Sequence, residues 1–354
     1  MSTSSSKVKI HWGWVFASII FSAFFLTLML YTFTMPAKYH FFDFSLTGSI
    51  GDTINGVTAP FIGVSVAILT FLAFYMQYNA NETHNIQFDT QSVEKKSEKH
   101  EKKILYLIKE NRNIAINMSI GDDGSRIEGY KCFSRMFNEF RVSYEIVSSF
   151  YSSYIKEGRI TDNEIINIAY MIFYNGVGDT SNILNHKVLK SAPQISKLLD
   201  IFNDTSKYWE EGKELRQQTH ELLYGVEYNL KPIENIEYKP FDGHMTRLGQ
   251  YFRNLFHILS YTFDVENELL SKNDGYELIK SLRSQLSNYE QILIYFNSLS
   301  LYGEPLHDNN LIDKYQLIKN IPLPLVDFSG DIHEYYRDIE FEWDEVLKRA
   351  ERLG

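Results

Sequence analysis

Two long stretches without charge near the start of the chain give way to segments in which apolar residues recur at helical intervals. From Trp12 to Ala37 (WGWVFASIIFSAFFLTLMLYTFTMPA) no residue is charged. At about 1.5 Å of rise per residue, such a run crosses a hydrocarbon core of ~30 Å. Trp12, Trp14 and Tyr31 stand near its ends, where amphipathic rings favour the interface. A second uncharged run extends from Thr53 to Asn81. It is most apolar over Val57–Tyr78, and its first half (GVTAPFIGVSVA) is rich in small residues that let helix backbones approach closely. The first run is longer than a signal-peptide core, and its end (TFTMPAKYH) makes a poor cleavage site. The pattern predicts a transmembrane hairpin over residues 1–81, with helices at about 12–36 and 54–80.

Flanking charges orient the hairpin. Lys7 and Lys9 precede the first run, and Lys95, Lys96, Lys99, Lys102 and Lys103 follow the second. The short connection holds only Lys38 against Asp43 and Asp52. Positive charge stays on the cytoplasmic side, so both termini are expected in the cytoplasm, with the chain crossing the membrane twice.

Residues 82–120 become charge-dense (SVEKKSEKHEKKILYLIKENRN) and predict a solvated helical stalk with opposite charges at helical spacing. GDDGSRIEG reads as a turn before a helical cytoplasmic domain at 121–354. There Phe133, Phe137, Phe140, Tyr144 and Val147 repeat at helical intervals across 126–156. Thr161 and Glu164 form a capping-box pattern opening EIINIAYMIFYN, which stops at Gly176. In 244–262 the stripe is Met245, Leu248, Phe252, Leu255 and Leu259. In 278–300 it is Ile279, Leu282, Leu286, Tyr289, Leu293, Phe296 and Ser300, which predicts one continuous helix. A last charged helix is expected at about 332–352. Strand signals are weak throughout, and the expected class is all-α.

Charge and cysteine usage narrow the chemistry. The net charge is −10, and residues 1–112 carry about +2, which leaves −12 on the remainder. So acidic a domain is a poor nonspecific binder of nucleic acid. The single cysteine, Cys132, excludes an internal disulfide and reads as a small core residue. The sequence contains no P-loop, dinucleotide-binding glycine pattern, HExxH, paired CxxC or Ser nucleophile elbow, and its ten histidines have no metal-ligand spacing. Neither a metal nor a cofactor is expected.

Two constellations remain. In RLGQYFRNLFH, Arg253 and His257 lie one helical turn apart, with Asn254 beside them and Arg247 further back. Projection at 100° per residue puts Arg253 and His257 with Thr246 and Gln250, opposite the Leu/Phe stripe. A His beside an Arg can move a proton while the guanidinium stabilises a phosphoryl oxyanion. The alternative is an exposed polar face. In RSQLSNYEQILIYFN, Arg283, Ser287 and Glu290 fall on one flank, a pattern typical of salt bridges between helices.

The small-residue second run, GHMTRLGQYFRNLFHIL and LRSQLSNYEQILIYFNSLSLYG together resemble the phage abortive infection family of AbiC-like bacterial membrane proteins, most closely over 244–303. The resemblance implies bacteriophage defence from the inner membrane and assigns no catalytic residue. A second resemblance is to the HEPN-type helical ribonucleases, whose signature is Arg, often followed by Asn, His or Asp, and then His after four to six intervening residues. Arg253-Asn254 begins that pattern, and His257 follows after only three. Two mechanisms are expected to compete. One is an RNase-like effector using Arg253 and His257 at a subunit interface, acting on RNA without a metal. The other is a non-enzymatic sensor or membrane-perturbing effector triggered by a phage component. In either case the expected partners are the lipid bilayer and further copies of the chain.

Overall fold

The computed structural model describes residues 50–121, 124, 126–178, 189, 191–210 and 236–353, with seven isolated positions between 20 and 31. They fall in two compact units, Met1–Gln91 and Ser92–Gly354. The run at 12–36 lies mostly outside the described residues. Its described positions are helical, and all but Phe25 are exposed. The Phe25 ring lies 5.3 Å from that of Phe61.

Helix α1 (Ile50–Ile116) is 67 residues long and does not end near residue 80. It contains the one stretch among the described residues that is long and apolar enough to cross a membrane, with mean hydropathy 2.2 and none of that window buried. A soluble core helix of this composition would cover its apolar side chains. Here Phe61 through Tyr78 stay open, Phe71 being 69 % exposed. Such a surface suits a lipid solvent, in which a helix satisfies its backbone groups internally. A Cβ built on Gly63 meets nothing within 4 Å, so the small-residue face is uncovered among the described residues.

In the second unit, the end of α1 is core rather than solvated stalk. Ile104, Ile108 and Ala115 are buried, because the apolar positions of ILYLIKENRNIAI recur every three to four residues among the charges. A two-residue antiparallel ladder follows, β1 (Ser119–Ile120) with β2 (Ile127–Glu128), pairing Ser119 with Glu128 and Ile120 with Ile127. The rest is helical, as expected.

Helix α2 (Lys131–Phe150) is the central element. Short α3 (Ser152–Lys156) leads to α4 (Asp162–Asn175), which starts at the Thr161/Glu164 capping box. The two long helices pack together, and Ser143 Oγ donates to the Ala169 carbonyl at 2.9 Å where they approach. Helix α5 (Ile195–Glu210), α6 (Met245–Glu268), α7 (Lys272–Arg283) and α8 (Asn288–Leu299) follow. Helix α8 lies against α2 and α4. Phe140 sits at their junction, its ring 4.4 Å from Phe296, 5.7 Å from Phe173 and 5.8 Å from Tyr170. The C-terminal part alternates 3₁₀ turns with α9 (Glu304–His307), α10 (Leu311–Tyr315), α11 (Ile332–Tyr335) and α12 (Glu342–Leu353).

Two helix expectations need correction. Residues 278–300 form α7 and α8, separated at Ser284–Ser287. Helix α7 ends at its C-cap Ser284, and Ser287 caps the next helix, because its hydroxyl accepts the Glu290 N–H while the Glu290 carboxylate accepts the Ser287 N–H. The apolar rhythm hides the break, since Leu286 is buried within the turn itself. The expected helix at 332–352 is likewise two, with Tyr336, Ile339 and Phe341 buried on the non-helical backbone between them. Leu286→Ala should lower stability by about 2–5 kcal/mol through lost burial and a residual cavity. Urea unfolding of the detergent-solubilised chain measures this, and an unchanged midpoint would show that the turn does not anchor the core.

Candidate functional site

Helix α6 buries Leu248, Tyr251, Leu255, Ile258, Leu259 and Thr262, and leaves a ridge of Thr246, Gln250, Arg253 and His257 in solvent. This is the face that helical projection sets opposite the Leu/Phe stripe. Met245 departs from the stripe: in the first turn it is exposed.

Three buried carboxylates hold α6 in place. At its start, Glu139 of α2 accepts the Tyr238 hydroxyl at 2.6 Å and the Phe241 N–H at 2.8 Å. The Nε2 of His244, the residue that precedes the helix, lies 3.0 Å from the same carboxylate. Two backbones cross closely here, at Gly176 (φ +80) and Gly243 (φ +87). A Cβ on Gly176 would come within 2.7 Å of the Asp242 carbonyl. Only glycine tolerates both the conformation and the approach. In the second turn, Tyr251 Oη donates to Glu290 Oε1 at 2.9 Å, where Arg112 Nη1 from α1 also binds at 2.8 Å. Burial and the Glu290 charge hold the Tyr251 phenol well above its ordinary pKa. In the last turn, buried Glu266 pairs with Lys314 Nζ at 2.5 Å, and a Cβ on Gly275 would collide with its carboxylate. Sequence reasoning missed Glu139, Glu266, Arg112 and Tyr251 in these roles. The available signal was an acidic residue inside an apolar stripe, Glu139 beside Phe140 and Glu266 beside Val265.

Arg253 and His257 share the ridge but turn to opposite flanks, and no hydrogen bond joins them. The Arg253 guanidinium folds back over Gly249 toward α4. A Cβ at Gly249 would lie 2.9 Å from Tyr174 Oη and 3.2 Å from Arg253 Nη1. Burial raises the Tyr174 pKa, and the Arg253 charge opposes that shift. His257 turns toward α1. Its ring centroid is 5.9 Å from Tyr261, whose hydroxyl is 2.5 Å from His100 Nδ1 and whose ring face carries Lys103 Nζ at 3.9 Å.

The other candidates have structural duties. Asn254 is a clasp between helices and does not join the ridge: its Nδ2 donates to the Leu107 carbonyl at 3.3 Å and Asn111 Oδ1 at 3.2 Å. Arg247 donates from Nε to the Ser119 carbonyl at 2.9 Å, and lines an open cleft of about 520 Å³ with Glu110, Asn113, Asn117 and Gln250. Arg283 and Glu290 do not share a flank, because the break at 284–287 separates them. Arg283 is buried and donates to the Gln316 carbonyl at 2.8 Å beyond α10, while Arg112 is the partner of Glu290. Cys132 is buried, its thiol 3.2 Å from the Ile127 carbonyl, and burial pushes its pKa up to about 11. Among the described residues no three His, Cys, Asp or Glu side chains group as metal ligands.

This geometry generates two expectations. Glu290→Ala strands the Arg112 charge in the core and should lower stability by roughly 3–5 kcal/mol, whereas Arg253→Ala and His257→Ala should stay within about 0.5 kcal/mol of wild type. Equal unfolding midpoints for all three would contradict the division between support and ridge. Cys132 should resist iodoacetamide at pH 8 in the folded chain and react readily in urea, since the thiolate is scarce below pH 11. Rapid labelling of the folded chain would contradict this placement.

Residues 243–325 match a family model described as "Putative phage abortive infection protein". Neither a curated protein nor a solved structure matches the chain. The matched segment opens at Gly243, where the two backbones cross, takes in α6 to α10, and ends in the 3₁₀ turn at Leu323–Leu325. Over that segment, which holds the ridge and two of its three buried carboxylates, the chain is similar to the phage abortive infection family.

Proposed function

We propose that this protein defends a bacterium against phage by abortive infection, acting from the inner membrane through the α6 ridge. The carrying observation is that the family match falls on the segment that builds and supports this ridge. Arg253 and His257 stand on it in solvent, while their neighbours Arg247, Asn254 and Tyr251 hold the fold. The uncovered apolar window of α1 supports membrane attachment. The lysines after it support a two-span topology with cytoplasmic termini.

In the RNase-like version, His257 moves the proton of an RNA 2′-hydroxyl, and Arg253 stabilises charge on the phosphoryl oxygens. Within one chain the two side chains diverge, so this chemistry requires Arg253 to leave Tyr174 or a second copy to supply the cation. That divergence favours a second reading, in which the ridge recognises a phage-derived component and the protein rearranges without catalysis.

Phage plating on cells carrying the wild type, Arg253→Ala or His257→Ala tests the ridge. Both variants should lose protection by at least tenfold in plating efficiency while expression and membrane insertion persist. RNA cleaved only in infected wild-type cells supports the nuclease version, and lost protection with intact RNA supports recognition. Full protection by both variants would remove the ridge from the mechanism. A reporter active only outside the cytoplasm, fused at Gly354, should remain silent; a strong signal would reverse the topology.

A further inference from the structure

Residues of α1 that no motif singles out complete the His257 flank of the ridge. Tyr261, half-buried, is the hub. His100 Nδ1 is 2.5 Å from its hydroxyl, with ring centroids 5.8 Å apart. The His257 centroid is 5.9 Å away on the other side, and Lys103 Nζ lies 3.9 Å above the ring. Three aromatic rings in sequence are thereby joined to an ammonium group. No carboxylate among the described residues pairs with Lys103, with Lys99 on the preceding turn, or with Arg253. Arg112, Arg135, Arg141, Arg159, Lys280 and Lys314 of the same unit have acidic partners, whereas Lys103 stands over a ring. On the adjacent face of α1, Lys102 binds Glu98 at 2.6 Å. Lys99 and Lys103, exposed one turn apart on α1, offer a local positive potential to an anion.

We propose that His257, Tyr261, His100 and Lys103 form a track for single-stranded RNA, with the rings stacking on bases and Lys103 binding the backbone phosphate. This deepens the reading of α6 as the working face and rests on it. Rings beside a cation are what a flexible strand requires, since every base offers a π-face and every linkage a charge. A lipid headgroup would use the cations and leave the rings without a role. The overall acidity of the domain does not oppose a local track, because phosphate contacts act within a Debye length of about 8 Å.

The test uses the full chain in detergent and a fluorescein-labelled 12-nucleotide 2′-O-methyl RNA, which lacks the hydroxyl needed for cleavage and so reports binding alone. Fluorescence anisotropy should show salt-dependent binding. Tyr261→Leu should weaken it about tenfold. Lys103→Ala should weaken it several-fold and reduce the magnitude of the log–log salt slope by about 0.7. Lys102→Ala, whose charge is already paired, should bind as wild type, and unchanged unfolding midpoints exclude misfolding. Absence of wild-type binding, or equal losses with Lys102→Ala and Lys103→Ala, would overturn the track. So would a Lys103→Ala defect confined to phosphatidylglycerol vesicles. Because the probe cannot be cleaved and no phage is present, failure here leaves the plating result on Arg253 and His257 standing by itself. A wild-type chain that binds RNA yet gives no protection in plating would count against the defence reading instead.

Discussion

The carboxylate of Glu290 is the interaction on which the rest of this domain depends. It has no solvent exposure, and both oxygens are occupied. Oε1 takes Arg112 from α1 and Tyr251 from α6, while Oε2 takes the backbone N–H and hydroxyl of Ser287 at the start of α8. One charged group thus ties three helices together. Removing two charges from water is costly, and their mutual attraction offsets that only when the remaining hydrogen-bonding capacity is filled. Here it is filled, and the Tyr130 ring covers the Arg112 guanidinium at 4.5 Å.

The same device recurs at both ends of α6, with Glu139 beside His244 and Glu266 beside Lys314. The helix is pinned at three points on the side facing the core. A pinned helix presents its outer residues in a defined arrangement without asking them to contribute stability. This is why Arg253 and His257 can be polar, exposed and unpaired while every other polar candidate on α6 is engaged. Gly249 makes the two flanks of the ridge differ. The absence of a Cβ there lets Tyr174 and Arg253 meet above the helix, which leaves the opposite flank to His257, Tyr261 and α1.

What the sequence determined by itself was local. Apolar residues at three- and four-residue intervals mark α2, α4 and α6, because a helix must bury one stripe. Thr161 and Glu164 mark a helix start, because the bonds that form the box span only three residues. The uncharged run at Val57–Tyr78 marks a helix suited to lipid, and the 100° projection marks the α6 ridge. Tertiary structure decided everything that depends on distant partners. Arg112 and Glu290 are 178 residues apart, and Glu139 and His244 are 105 apart. Spacing alone therefore pointed to salt bridges between helices, which Glu290 makes with Arg112, without naming that partner, and it left Glu139 unnoticed. The break at Ser284–Ser287 was invisible because a turn that buries Leu286 preserves the periodicity of a helix. Asn254 belonged to the candidate site until α1 lay beside it, and Arg253 belonged with His257 until Tyr174 drew it to the other flank. Helical spacing sets where a side chain leaves the backbone, and the packed neighbours set where its functional atoms come to rest.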